Sequence, residues 1–190
     1  MSPSLPSWRA LGGLLLVAAL AGCATQAPPY APTVDNADTL KQRSVAPMKL
    51  GSFSVQPGAT GATSIGLRGN PMQSPVGADF AAYLADALRK ELALAGKLDP
   101  ASGTEVAGQL LKNDIAAAGI VTNSGEIEAR FVVSRAGQVR YDQVLRAEMS
   151  WDSSLMGAIA IPKAIQTYPL LVQKLLATLF ADSRFLAAVQ

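Results

Sequence analysis

The segments IEARFVVS at residues 127–134 and VRYDQVLRAEMSW at residues 139–151 decide the fold of this chain. In both, apolar residues alternate with polar ones, and the short stretch RAGQ between them contains a glycine. A period of two on either side of a short loop is typical of an antiparallel hairpin with one apolar and one solvated face. The residues predicted to face the core are Ile127, Ala129, Phe131, Val133, Val139, Tyr141, Leu145, Ala147, Met149 and Trp151.

The opposite face of this hairpin carries most of its charges. Opposite charges on neighbouring strands attract, so we expect salt bridges across this face. The candidate partners are Glu128 and Glu148 with Arg130, Arg140 and Arg146. The alternative is that these charges form a polar docking surface.

Residues 78–95, with the sequence ADFAAYLADALRKELALA, are predicted to form a helix. An apolar residue recurs every four positions, which places one apolar stripe on the core. Asp79 lies in the first turn, where the helix dipole favours a negative charge, and Gly96 is a natural C-terminal stop. The residues predicted to form the solvated face are Asp86, Arg89, Lys90 and Glu91.

Strands are also predicted at residues 48–55 and 104–115. The first changes its alternation phase at Gly51, which indicates a β-bulge. With the final helix, the element order is β-α-β-β-β-α. This order predicts an α+β fold, a two-layer sandwich in which a mostly antiparallel sheet carries both helices on its apolar face.

The final helix is predicted to begin at Pro162 or Thr167 and to end at Ala181. Proline suits the first turn of a helix, whereas Pro169 is expected to kink or restart it. Residues 184–189 are expected to add a further helical turn.

Two segments, residues 56–77 and 153–161, break the alternating pattern. Loops as long as the first are usually functional or disordered, and a short edge strand at residues 64–67 is the alternative. The second is either a buried crossover under the last helix or an exposed apolar lip. Because function tends to override local sequence rules at such places, we predict partner or lipid contacts there. The residues predicted to make them are Leu67, Met72, Leu155, Met156 and Ile159.

Residues 1–22 are typical of a secretory signal peptide. A short polar start with the single charge of Arg9 precedes an apolar run at residues 10–20, and small residues follow. The apolar run is about half as long as the roughly 20 residues that a membrane-spanning helix needs. A permanent transmembrane helix is therefore not expected here.

The sequence Leu20-Ala21-Gly22-Cys23 resembles the lipobox of bacterial lipoproteins. The resemblance implies that the thiol of Cys23 receives a diacylglyceryl group, that cleavage occurs before it, and that its new amine is often acylated too. Ala24 stands where an aspartate would favour the inner membrane, so the resemblance implies an outer-membrane anchor with the domain facing the periplasm. The alternative is that Cys23 is an ordinary buried thiol.

Residues 23–47 are predicted to be the lipidated cysteine and a flexible Pro-rich tether, and residues 48–190 a single periplasmic domain. Four prolines among small and polar residues leave little to bury, and such a chain spans about 3 Å per residue if it is polyproline-like. The alternative is that part of this segment packs back on the domain through Tyr30 or Val34.

Composition excludes several functions. The net charge is +2 without a basic stripe, so we expect no nucleic-acid partner. The absence of histidine excludes Ser-His-Asp catalysis and histidine metal sites. The acidic residues fall on patterned surface faces rather than pairing in an apolar context. We therefore expect no catalytic residues, no enzyme activity, no metal and no cofactor.

The lipobox together with the element order over residues 48–181 resembles the small periplasmic lipoproteins of the LptE and YajG types. This resemblance implies a non-enzymatic lipoprotein that binds a protein partner or an envelope lipid during envelope assembly or transport. The alternative function is a carrier or sensor of a small apolar ligand, held between the sheet and residues 56–77.

Overall fold

A computed structural model describes residues 25–190, so the predicted signal peptide and Cys23 lie outside the described residues. The strands are β1 (Thr25–Gln26), β2 (Lys49–Val55), β3 (Ser64–Leu67), β4 (Asn70–Gln73), β5 (Thr104–Ala116), β6 (Thr122–Arg135) and β7 (Gln138–Asp152). The helices are α1 (Val34–Gln42), α2 (Phe80–Leu94), α3 (Gly157–Ala181) and α4 (Ser183–Ala188).

The main sheet has the strand order β2-β5-β6-β7. Strands β5, β6 and β7 pair antiparallel, and β2 joins β5 in parallel. With α2 and α3 these strands follow the predicted order β-α-β-β-β-α, and the α+β fold is confirmed. The predicted bulge in β2 is also confirmed, since its register with β5 shifts between Leu50 and Phe53.

The predicted hairpin is formed by β6 and β7. Ala136 and Gly137, in the turn, have φ angles of 50° and 77°, as a tight type I′ turn requires. Every residue predicted to face the core on β6 is buried. On β7 one prediction is wrong, because a register shift near the turn leaves Val139 exposed.

The two long helices cover the apolar face of the main sheet. Asp79 caps α2 by accepting a 2.9 Å hydrogen bond from the Ala82 N–H, and Gly96 follows the helix with a φ of 67°. Helix α3 begins at Gly157, earlier than predicted, and contains both Pro162 and Pro169. The further turn predicted near the C-terminus is present as α4.

Much of residues 56–77 is a second hairpin rather than a long loop. Strands β3 and β4 pair antiparallel, and β1 pairs in parallel with β4 to complete a three-stranded sheet. The short strand expected at residues 64–67 is therefore present as β3. The turn between β3 and β4 again has two positive φ angles, 52° at Arg68 and 86° at Gly69.

The Pro-rich segment, as far as the structure describes it, packs on the domain. Tyr30, Leu40 and Val45 are buried, and α1 contacts both α2 and α3. The prediction of a flexible tether is thus wrong for residues 25–47, because aromatic and aliphatic side chains spaced among the prolines bury themselves. The alternative that named Tyr30 is correct, while Val34 remains exposed.

Candidate functional site

Two segments meet at one end of the main sheet. Thr122 at the start of β6 pairs with Asp152 at the end of β7, so the residues before Thr122 and after Asp152 leave the sheet side by side. The Ser153 N–H donates to the Val121 carbonyl at 2.7 Å, and the Ser153 hydroxyl donates to the Gly119 carbonyl at 2.7 Å. The β5–β6 loop and the β7–α3 connection are therefore one continuous surface.

This surface is apolar and exposed. Residues 115–121 (IAAAGIV) and 153–161 (SSLMGAIAI) contain no Asp, Glu, Lys or Arg. We call its exposed large side chains the apolar tip: Ile120 (62% exposed), Val121 (76%), Leu155 (73%), Met156 (62%) and Ile159 (53%). The alternative of a buried crossover is wrong for Leu155, Met156 and Ile159. Their predicted role in partner or lipid contact stays a prediction.

One arginine, together with Ser153, links the two segments of the tip. Arg68 extends from the β3–β4 turn and donates hydrogen bonds to both tip segments. Its acceptors are Ala117 O at 2.7 Å from Nε, Gly119 O at 2.7 Å and Ser154 O at 2.8 Å from Nη2, Leu155 O at 3.0 Å from Nη1, and Ser153 Oγ at 3.3 Å from Nη2. These acceptors are all uncharged. A guanidinium presents its donors in a fixed planar arrangement, which suits several carbonyls at once.

Leu67 and Met72 do not belong to the exposed surface. Both are fully buried under the hairpin of β3 and β4, together with Ile65. Their predicted contact with a partner or lipid requires accessible side chains, so for these two residues the prediction is wrong. The physical reason is that the segment forms a hairpin of its own with one apolar face on the core.

Sequence reasoning missed the role of Arg68. The only signal in the sequence was that Arg68 is the single charge among the Gly, Pro, Ser and Thr residues of 56–77, directly before Gly69. Which partner it reaches depends on the loops that the fold brings beside it.

A second polar cluster lies around Glu91. Its carboxylate accepts hydrogen bonds from the Tyr30 hydroxyl at 2.5 Å, the Asn36 side-chain amide at 3.0 Å and the Thr33 N–H at 3.1 Å. Glu91 is fully buried, so its predicted place on a solvated face is wrong. Burial, and then the hydrogen bond to Glu91, raise the pKa of Tyr30 far above its ordinary value. We call Glu91 and its three donors the Glu91 clasp.

The solvated sheet face carries a network of salt bridges. Arg146 pairs with Glu126 at 2.8 Å and also with Glu148, and Lys112 pairs with Glu126 at 2.7 Å. The hydrogen bond from Lys112 lowers the pKa of Glu126. Cross-strand salt bridges are therefore present, but not between the predicted partners, because Arg146 and Glu148 lie on the same strand and Arg146 reaches across to Glu126.

Arg130 also pairs across the strands of this face, but its partner is Asp142. The hydrogen bond from Arg130 lowers the pKa of Asp142. A lowered pKa keeps a carboxylate ionised at neutral pH, which is unlike a general acid. Glu126 and Asp142 are therefore salt-bridged surface groups of this face.

Two further findings concern residues 25–190 as a whole. No helix among them is long and apolar enough to cross a membrane. No three or more of their Asp and Glu side chains are grouped closely enough to hold a metal ion.

Neither a protein-family model nor a curated protein sequence matches the chain. Among the solved structures that resemble it are three that each share 12% of their sequence with it. A Xanthomonas campestris protein of the family DUF330 has a TM-score of 0.49 and 12% identity, covering 86% of this chain and 92% of that one. A hypothetical protein from Chlamydia trachomatis has a TM-score of 0.49 and 12% identity, covering 76% and 99%.

The third, a Caulobacter crescentus protein described as a proposed lipoprotein, has a TM-score of 0.42 and 12% identity, covering 81% and 96%. Likenesses of this degree assign no function to the chain.

Proposed function

We propose that this chain is a lipoprotein of the outer membrane, anchored by acyl groups on Cys23, with its domain in the periplasm. In this proposal it binds a protein partner or an envelope lipid during envelope assembly or transport, and it catalyses no reaction. The observation that supports it is the apolar tip, an exposed apolar surface on a domain that follows the lipobox-like motif at residues 20–23.

The apolar tip has the features of a binding surface. Large contiguous apolar patches are uncommon on monomeric proteins and usually mark contact sites for proteins or membranes. All five tip side chains are more than half exposed. The two tip segments are also held by the Arg68 guanidinium and by Ser153, so these side chains are presented on an ordered surface.

The alternative function of a carrier for a small apolar ligand has less support. That reading needs open space between the main sheet and residues 56–77. Ile65, Leu67 and Met72 occupy this region with fully buried side chains of the protein itself. The salt bridges of Glu126 and Asp142, which lower the pKa of each, make these two carboxylates unsuited to act as a general acid.

The lipid anchor is tested by replacing Cys23 with serine. We expect an alkyne fatty acid fed to the cells to label the wild-type chain and not Cys23→Ser, because serine lacks the thiol that accepts the lipid. The variant should also accumulate as an uncut precursor or a misprocessed species. Cys23 is the only cysteine, so S-acylation at another position of the chain is impossible. Equal labelling of the two proteins would contradict the proposal.

The outer-membrane location and the binding role need separate measurements. Separation of inner and outer membranes should place the labelled protein in the outer membrane. Crosslinking of intact envelopes, followed by capture of the protein, should recover a defined protein or lipid. Extraction of the purified protein with solvent tests the carrier alternative, which requires a stoichiometric apolar ligand.

A further inference from the structure

We propose that the apolar tip is embedded in the same bilayer that holds the acylated Cys23, so that the domain lies directly on the membrane surface with this end down. The occupant of the tip is then the lipid of that bilayer and not a second protein. This inference rests on the lipid anchor of the proposed function. It follows from where the chain enters the fold, how short the connection is and what that end of the domain exposes.

The chain enters the fold at the β3–β4 turn end of the small sheet. Strand β1 runs parallel to β4, with Thr25 beside Met72 and Gln26 beside Gln73. Strand β4 leaves the turn at Asn70 and runs away from it. The direction from Gln26 back to Thr25 therefore points toward the turn at residues 68–69.

The connection from the anchor to the fold is too short to act as a tether. Cys23 precedes Thr25 by two residues, and an extended chain spans at most about 3.6 Å per residue, or about 7 Å here. Nothing further along lengthens it, because Ala27 and Tyr30 are already buried in the domain. If Cys23 carries acyl chains in the bilayer, Thr25 must lie at the membrane surface.

The same turn supports the tip. Arg68 occupies this turn and donates to carbonyls in both tip segments, so the tip lies within reach of one arginine side chain from the turn toward which the N-terminal strand points. A domain held there presents either the tip or a neighbouring surface to the bilayer. The tip is the part that lipid would favour, because its two segments contain no charged residue.

The charges around the tip suit the headgroup layer. Lys163, one helical turn after Ile159 on α3, is exposed, and the charge of Arg68 is met only by uncharged acceptors within residues 25–190. Long basic side chains can lie at the interface between apolar contacts and phosphate groups. Asp114 and Asp152 directly precede the two tip segments, at the ends of β5 and β7; Asp152 is exposed, so its carboxylate belongs in the headgroup layer and not in the hydrocarbon.

Site-specific photocrosslinking in cells tests this orientation. The full chain is expressed in bacteria with p-benzoylphenylalanine at Leu155, Val121 or, as a control, Val144. Val144 is also exposed but lies on the solvated face of β7, away from the tip. After illumination, mass spectrometry of the purified protein should show phospholipid adducts at Leu155 and Val121 at a several-fold higher yield than at Val144.

The proposal is overturned if the tip positions capture a protein instead of lipid, or if their lipid yield is no higher than that of Val144. Labelling of the same samples with an alkyne fatty acid separates this outcome from failure of the anchor. Label at Cys23 without lipid adducts at the tip contradicts the orientation alone. An unlabelled Cys23 contradicts the proposed anchor, and with it the premise from which the orientation follows.

Discussion

The Glu91 clasp and the Arg68 contacts are built in the same way but have opposite results. In each, one charged side chain gathers neutral hydrogen-bonding groups from segments far away in the sequence. Glu91 binds the N-terminal segment onto α2, and the result is buried apolar surface, including Leu40 of α1. Arg68 binds two loops to each other, and the result is an apolar surface that stays exposed.

This difference makes it possible to separate contributions to the free energy of unfolding from contributions to the conformation of the exposed tip. A fully buried carboxylate has no access to water, so its donors must stay in place for the ion to be solvated at all. Arg68 is only partly buried, and some of its carbonyl partners could find water instead. The Glu91 clasp should therefore dominate the free energy of unfolding, whereas Arg68 should mainly set the conformation of the tip.

The largest expected effect is that of Glu91→Ala. It leaves the Tyr30 hydroxyl and the Thr33 N–H without their acceptor and the Asn36 amide with only its 3.4 Å hydrogen bond to the Gln173 carbonyl. Each buried unsatisfied donor costs about 1 to 3 kcal/mol. We expect a total loss of about 3 to 6 kcal/mol in the free energy of unfolding, measured by urea denaturation of the purified protein. Glu91→Gln keeps one acceptor oxygen and should lose less.

Arg89→Ala is the matched control, since Arg89 lies on the same helix with an exposed side chain paired to Asp86. It should change stability by no more than about 0.5 kcal/mol. Equal losses in Glu91→Ala and Arg89→Ala would mean that the N-terminal segment does not pack on α2 in solution.

Arg68→Ala should have an intermediate effect. It removes hydrogen bonds to partly exposed carbonyls, so we expect a loss of about 1 to 2 kcal/mol. The clearer signature is local. Hydrogen exchange should accelerate in residues 117–123 and 153–157 while the β5–β6 ladder stays protected. Arg68→Lys should not restore protection, because an ammonium cannot reproduce the planar set of donors.

Arg140→Ala serves as the control for this variant, because Arg140 is exposed and its guanidinium contacts only Gln138 among the described residues. Hydrogen exchange at the tip should be the same as in the wild type. Unchanged exchange in Arg68→Ala would show that the tip is ordered by its backbone contacts alone.

The parts of the fold that sequence predicts well are those where one strong period acts along a continuous segment. The hairpin of β6 and β7 shows a period of two, and α2 shows an apolar residue every four positions, so both were predictable. Glu91 was not. It lies beside Lys90 among polar positions of α2, and only the N-terminal segment, some sixty residues earlier, turns that position into the interior.

Only part of the candidate site was predictable, for a related reason: Leu155, Met156 and Ile159 are exposed as a contact site requires, and Leu67 and Met72 are not. Leu67 and Leu155 both interrupt a Gly- or Ser-containing segment with a large apolar side chain, and the sequence treats them alike. Leu67 belongs to a short hairpin that finds a core beneath it, whereas Leu155 leaves a strand at the end of the sheet. Burial in such segments depends on neighbours from elsewhere in the chain, which local pattern does not contain.

The smallest expected effect on stability is that of the double variant Met156→Ser with Ile159→Ser. Both side chains are exposed, and Met156 occupies the N-cap of α3 without a side-chain cap, so serine there could even strengthen the helix start. We expect a change of less than about 1 kcal/mol in the free energy of unfolding. Leu67→Ala, at a buried position that shares the same sequence signature, should instead lose about 2 to 5 kcal/mol.

The double variant should nonetheless reduce the yield of lipid adducts at Leu155, because it removes two of the five side chains of the apolar tip. Substitutions on a surface that serves only for binding should weaken binding without lowering the free energy of unfolding. Substitutions on a surface that is packed in the fold should lower both. A loss of stability in the double variant as large as that of Leu67→Ala would place Met156 and Ile159 in the core. The contrast between the Glu91 clasp, which stabilises the fold, and the apolar tip, which serves for contact, would then be wrong.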